Sequence, residues 1–245
     1  MSVLIGSARI DENGHAHGGK AGDQTGKEVS TQAWYKHSKG WVVLRPKNSA
    51  RAEKIAQDMQ WACDNPCIGY DQNQRNTLYN IAKEVDFNCS KVNKKCETDC
   101  SALVRVCCAY AGIKVTNFRT TDEVKILMAT DEFYKLTDKR YTESENYLQR
   151  GDILVTKTQG HTVVVLSNGK FAPVAPDPML VISDIQVTAK SINVRELPHG
   201  EIIGYAFKGQ YFPYVATDQN SGWYKIKYKN GYGWVTNKYT IPLYK

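Results

Sequence analysis

Three prolines in seven residues, "APVAPDP" at 172–178, interrupt the chain well past its midpoint. Proline lacks a backbone N–H and fixes φ, so neither a helix interior nor a central strand runs through such a stretch. The hydrophobic pattern also differs on its two sides. Before it, apolar residues recur first at helical period and then in short strand-like blocks; after it, short strands alternate with turn signals. The expected division is a first domain over 1–175, a linker over 176–186 and a second domain over 187–245.

Within the first domain, the opening fifty residues are rich in glycine and polar side chains, with "GWVVLRP" a short strand closed by Pro46 and "STQAWY" a weaker one. Asn48 or Ser49 caps a helix carrying Ala52, Ile55, Ala56, Met59 and Ala62 on one face, ended by Pro66. A second helix covers "NQRNTLYNIAKEVDF" with Leu78, Ile81, Ala82 and Val85 inward, and a third runs from Asp99 or Cys100 to Ala111, where Gly112 stops it. A shorter helix follows Thr121. In "GDILVTKTQGHTVVVLSNGKFAPV" the period changes to apolar blocks split by "TQG" and "SNG", a hairpin or meander. Helices first and strands second make an α+β arrangement.

The last sixty residues hold many of the chain's fifteen tyrosines and five tryptophans. The turn signals "LPHG", "FKG", "DQNSG" and "KNG" fall at roughly 8–12-residue spacing, the signature of a small all-β barrel. That region has no cysteine and is expected to bind rather than react. The net charge of +7 comes from scattered lysines without a continuous basic run, which argues against nucleic acid as a partner. No run approaches the roughly 18 apolar residues of a membrane span. "MSVLIGSARI" has neither a basic leader nor a long apolar core, so no export signal is expected.

Seven cysteines cannot all pair within one chain, and a chain of 245 residues has no need of staples, so they read mostly as free thiols. Cys63, Cys67, Cys89 and Cys96 lack the closer spacing of zinc knuckles, and no metal or cofactor is expected. Cys100 is the chemically interesting thiol. At the start of a helix its sulfur faces unpaired N–H groups that favour thiolate, whereas Cys107 and Cys108 lie two turns further in and read as core. Of five histidines, His161 in "QGHTVVVLSNG" opens an apolar strand and is the candidate base. A third polar group would hold its imidazole. Asn168 lies seven residues on, about 23 Å along a straight strand, and qualifies only if the strand turns back; Asp177 is the other candidate. The choice stays open.

"TDCSALVRVCCAYAG" followed by "GDILVTKTQGHTVVVLSNG" resembles the NlpC/P60 and CHAP cysteine peptidases and amidases, papain-like enzymes that cut bacterial peptidoglycan. Asp99, Cys100 and Ser101 match the nucleophile segment, and Gly151-Asp152 with Gly160-His161 match the segments around the base. The resemblance covers 96–112 and 150–169 and leaves 1–60 as an apparent elaboration. It implies an oxyanion hole from the Cys100 N–H with an upstream donor, Gln24 or Gln72. Residues 187–245, with "SINVRELPHGEIIGYAFKGQYFPYV" and "SGWYKIKYKNGYGWVTNKYT", resemble bacterial SH3 (SH3b) domains. These imply a small barrel that holds wall hydrolases on peptidoglycan, with Trp223, Tyr224, Tyr228, Tyr232 and Trp234 as candidate wall-binding faces. The expectation is therefore an α+β papain-like catalytic domain followed by an SH3-like barrel, an endolysin-like peptidoglycan hydrolase made in a host cytoplasm and released through a holin-type pore. The bond cut is left open between an amide within the stem peptide and that joining muramic acid to L-alanine. The rival is an inactive wall-binding or adaptor protein.

Overall fold

A computed structural model describes residues 2–158, 160–172, 182–218 and 221–244. The chain divides into two units, Met1–Val174 and Ala175–Lys245.

The first unit opens with three strands, β1 (Leu4–Ala8), β2 (Val29–Ala33) and β3 (Trp41–Pro46). Helix α1 (Ser49–Asp64) follows, then β4 (Ile68–Tyr70), α2 (Thr77–Ala82), β5 (Cys96–Thr98), α3 (Cys100–Tyr110) and α4 (Glu123–Ala129). Strand β6 (Phe133–Leu136), the short α5 (Lys139–Thr142), β7 (Ile153–Thr156) and β8 (Thr162–Val165) complete it. One antiparallel sheet runs in the order β2-β1-β8-β7-β3-β6, and β4 and β5 form a separate parallel pair.

Two expectations fail here. Residues 1–60 are not an elaboration, because β1 and β3 flank the β8-β7 hairpin and the sheet does not exist without them. Nor do helices simply precede strands. The reason lies in β1, "LIGSA", whose inner face is deliberately small: a Cβ on Gly6 would lie 2.8 Å from Met59 Cγ and 3.1 Å from Cys63 Sγ of α1. The face of this strand that lets a helix approach so closely carries small residues, Gly6 and Ala8, and Ile5 alone supplies the β-branched signal by which strands are recognised.

Alternation then sorts the sheet's two faces. Ile153 and Val155 of β7 and Val164 of β8 share a core with Ile55 and Met59 of α1 and Leu103 and Cys107 of α3. Leu154, Val163 and Val165 point the other way, toward Ile5, Trp41, Val43 and Leu148. Both faces of the central hairpin are thus covered, which explains its nearly continuous apolar sequence. Asn48 caps α1 by accepting from the Arg51 N–H at 3.1 Å.

The second unit is all β. Its strands are β9 (Ile182–Val187), β10 (Ser191–Arg195), β11 (Ile202–Phe207), β12 (Tyr211–Thr217), β13 (Tyr224–Tyr228), β14 (Gly231–Val235) and β15 (Thr240–Tyr244). They pair in the order β11-β10-β14-β13-β12-β9-β15. The expected closed barrel is not seen: among the described residues β11 and β15 remain the outer strands. Residues 182–186, expected in the linker, instead build β9, which sits between β12 and β15. Ile185, Val187, Ile192, Val194, Ala206, Ile226 and Val235 form its core.

Candidate active site

Cys100 is the first residue of α3, and Asp99 is its N-cap. Asp99 Oδ1 accepts from the Ala102 N–H at 2.7 Å and from Ser101 Oγ at 2.9 Å. The same carboxylate is gripped by Arg75, whose Nε donates to Oδ2 and whose Nη2 donates to Oδ1 at 3.1 Å. Arg75 is itself buried and fully engaged, with Nη1 on Asn117 Oδ1 (3.0 Å) and Nη2 on the Phe118 carbonyl (2.7 Å). Asp99 is therefore more than the cap the sequence implied; it is half of a buried ion pair directly behind the cysteine.

The cysteine borders a cavity of about 360 Å³ lined also by Gln72, Ser101, Arg119, Thr121 and Gly160. A second hollow of about 370 Å³ shares Gln72, Arg119 and Thr121 with it and continues past Asn73, Asn76 and Asn117. The side chains that line both hollows are mostly polar. Gln72 is the upstream amide that reaches this cavity, and its Nε2 donates to Tyr70 Oη at 3.0 Å. Gln24, the other candidate, spends its Nε2 on the carbonyls of Ala21 and Gly22.

His161 lies between two residues that both meet the cysteine's surroundings. Gly160 lines the Cys100 cavity, and a backbone hydrogen bond from Thr162 favours the Cys100 thiolate. The His161 N–H donates to Thr156 Oγ1 at 3.1 Å, and its carbonyl accepts from the Thr156 N–H at 3.0 Å, which closes the β7–β8 turn. Its ring sits 6.5 Å from that of Trp41, which also meets the rings of Tyr35 and His37 at 5.8 and 5.2 Å.

Electrostatics here run against the sequence expectation. Burial pushes the Cys100 thiol up to about 12, and the charges of Asp99 and Glu123 add to that. The helix N-terminus is in place, but desolvation outweighs it. Burial also pushes the His161 imidazole down to about 4, aided by His37 and Arg9. At neutral pH both groups are uncharged, a thiol and an imidazole rather than an ion pair.

Of the two proposed third members, the structure describes Asn168 alone, and its side chain is engaged elsewhere. Asn168 lies beyond the opposite end of β8 and accepts from the Arg150 N–H at 2.8 Å, locking the turn that precedes β7. Asp177 lies outside the described residues. Asp152 of the "GD" pair is fully buried and held by Arg45, with Nε on Oδ1 at 2.8 Å and Nη2 on Oδ2 at 2.7 Å, so its role is to tie β7 to β3. All seven cysteines are free thiols, and among the described residues no three His, Cys, Asp or Glu side chains are grouped to hold a metal.

In the second unit the candidate aromatics separate by strand parity. Tyr224 and Tyr228 alternate with buried Ile226 on the core side of β13 and are half-buried against it. Trp223 packs on His199 with ring centroids 4.9 Å apart. Tyr232 and Trp234 point outward from β14, with Lys225 Nζ 4.9 and 5.9 Å from their rings. Register places more aromatics on that outer face: Arg195 opposes Trp234, while Asn193 opposes Tyr205 and Ser191 opposes Phe207. Tyr205 is 57% and Phe207 52% exposed. The alternation "IIGYAF" in β11 was the sequence signal for them.

A mixed α/β unit carrying a helix-start cysteine in a polar cleft is thus followed by an all-β unit with an aromatic outer face. Residues 5–172 match the family described as endolysin-like domain, and residues 190–241 match the family described as bacterial SH3 domain. The first match spans more than half of the sequence, and the chain belongs to the endolysin-like domain family. Comparison with curated proteins and with solved structures returns no match.

Proposed function

We propose that this protein is a peptidoglycan hydrolase of papain-like mechanism, related to the NlpC/P60 and CHAP enzymes, in which Cys100 is the nucleophile and His161 the base. The observation that carries this reading is the bracketing of His161 by Gly160 and Thr162, both of which meet the surroundings of the Cys100 sulfur.

With both groups neutral at rest, proton transfer accompanies attack. His161 takes the thiol proton as Sγ adds to the amide carbonyl carbon, and the oxyanion meets the Cys100 N–H and the Gln72 amide. Collapse expels the amine, which leaves with the proton from the imidazolium, and a thioester remains on Cys100. Water, deprotonated by His161, then releases the acid and restores the thiol. The second unit holds the enzyme on the wall through the outer face bearing Tyr205, Phe207, Tyr232 and Trp234. Release from a producing cell through a pore belongs to the same reading.

One observation favours a second reading. A thiol pushed up to about 12 also suits a wall-binding protein whose first unit is inert. Turbidity loss of purified Gram-positive walls, with mass spectrometry of the fragments, separates the two. Wild type is expected to clear walls and Cys100→Ala to bind without clearing. Equal clearing by the two proteins removes Cys100 from the chemistry; no clearing by a folded, wall-bound wild type leaves the binding reading. New amine ends on alanine or inside the stem name the bond.

A further inference from the structure

Glu123, the first residue of α4, is fully buried, as is Thr162 at the start of β8. Thr162 Oγ1 donates to Glu123 Oε1 at 2.8 Å, whereas Oε2 is buried without a partner. Thr162 is anchored from its other side as well, its carbonyl accepting from Ser7 Oγ of β1 at 3.0 Å. Its backbone N–H is the one that hydrogen-bonds the Cys100 sulfur. A carboxyl group thus stands one residue from the candidate base and one hydrogen bond behind the donor to the candidate nucleophile.

Packing alone does not call for an acid at this position, since an apolar side chain would fill the space without an orphaned oxygen. We propose that Glu123 is a positioning residue: through Thr162 it fixes the backbone N–H that faces Cys100. The inference rests on the reading of Cys100 as nucleophile.

The groups around Glu123 bear on its charge. Asp99 at the α3 N-cap and Asp122 beside Glu123 are acidic, Cys100 and Cys108 of α3 are the neighbouring thiols, and Arg75 is the cation whose charge reaches it. That guanidinium is already committed to Asp99. Burial holds the Glu123 carboxyl well above the usual carboxylate range, and an anion here would oppose thiolate formation at Cys100. A neutral acid positions the strand without that electrostatic opposition.

The test follows Cys100 itself. The full chain and its Glu123→Gln and Glu123→Leu variants are alkylated with iodoacetamide from neutral to alkaline pH, and the Cys100 adduct is quantified by peptide mass spectrometry. Wall clearing is followed in parallel as kcat and KM, and circular dichroism confirms folding. Gln keeps the neutral shape and a hydrogen bond to Thr162, so its neutral-pH rates should stay within about twofold of wild type. Its thiol should alkylate faster than wild type at alkaline pH, where only the wild-type carboxyl can ionise. Leu should lose about tenfold in kcat with KM unchanged. A folded Leu variant matching wild type in both assays overturns the proposal, as does a Gln variant as impaired as Leu. If wild type alkylates in the expected order of variants yet clears no wall, the positioning role stands and the hydrolase reading falls.

Discussion

Asp58 of α1 is fully buried, accepts from the Cys89 N–H at 2.8 Å and from Cys89 Sγ at 3.3 Å, and has its carboxyl pushed up to about 7, chiefly by burial. Between 3.8 and about 7 the unfolded chain has released this proton while the native state keeps it. The native state binds more protons in that window, so stability falls as pH rises through it and levels off above. Asp58→Asn removes this slope, a difference of no more than about 4 kcal/mol between the two ends, to be read from urea unfolding at several pH values; an unchanged slope would show that Asp58 ionises freely. Glu97, also pushed to about 7 by burial, acts in the same direction. His161 acts oppositely, since its folded value is depressed from 6.5 to about 4 and stability is lost as pH falls through that range. Under the proposed mechanism, in which His161 is the base, the same depression would set the acid side of the pH profile. Hydrolysis of a soluble stem peptide should hold steady below pH 6.5 and fall only near 4, where the base becomes protonated. A fall centred at 6.5 would place the imidazole in water. The positions of Cys100 at a helix start and of His161 just before a strand were legible from sequence because both are local signals. Their raised and lowered proton affinities were not, because burial comes from residues far away in the chain.

Elements carry the site through a few contacts that tolerate no substitute. Gly151 has φ +93°, and a Cβ there would lie 2.3 Å from the Ala52 carbonyl oxygen of α1. Gly151→Ala meets both the left-handed backbone penalty, about 1–3 kcal/mol, and that clash, so the urea midpoint should drop markedly, with wall clearing lost as β7 moves. Arg75 is the second such contact. Arg75→Met strands the buried Asp99 carboxylate at the start of α3 and should cost about 3–5 kcal/mol. Arg75→Lys restores the charge but not the two-pronged grip, and should recover only part of it. If Met is as stable as wild type in chemical denaturation, the pair is not what holds the helix start. Helices α1 and α3, strand β3 and the β7–β8 hairpin were readable from period, caps and Gly/Pro punctuation. Strand β1 was hidden by its small inner face, and β4 and β5 by being only three residues long. The neighbours of the His161 ring escaped for a related reason. Trp41, which meets the His161 ring, and the Tyr35 and His37 rings that pack on Trp41 come from the segment around β3, not from the residues after β8 where a third group was sought.

At the scale of the whole molecule, the proposed function assigns reacting and holding to different units, and such a division would make them separable by mutation. The outer face of β11, β10 and β14 presents Phe207, Tyr205, Trp234 and Tyr232 beside Arg195 and Lys225. Flat rings beside cations suit a polymer of sugars and acidic peptides, since aromatic faces cover sugar C–H surfaces while the cations meet carboxylates. Tyr224 and Tyr228 face the core instead, and replacing them should lower stability before it touches binding. In the full chain, Tyr205→Ala with Tyr232→Ala should therefore reduce retention on purified walls about tenfold, the scale of two partly exposed binding contacts. The rate on a soluble stem peptide should stay at the wild-type value, since neither ring belongs to the unit that holds Cys100. Raising salt should weaken retention further in both proteins if Arg195 and Lys225 contribute. A double variant that holds walls as tightly as wild type would move the binding face elsewhere on the second unit. A parallel loss on the soluble peptide would mean that the two functions are coupled after all.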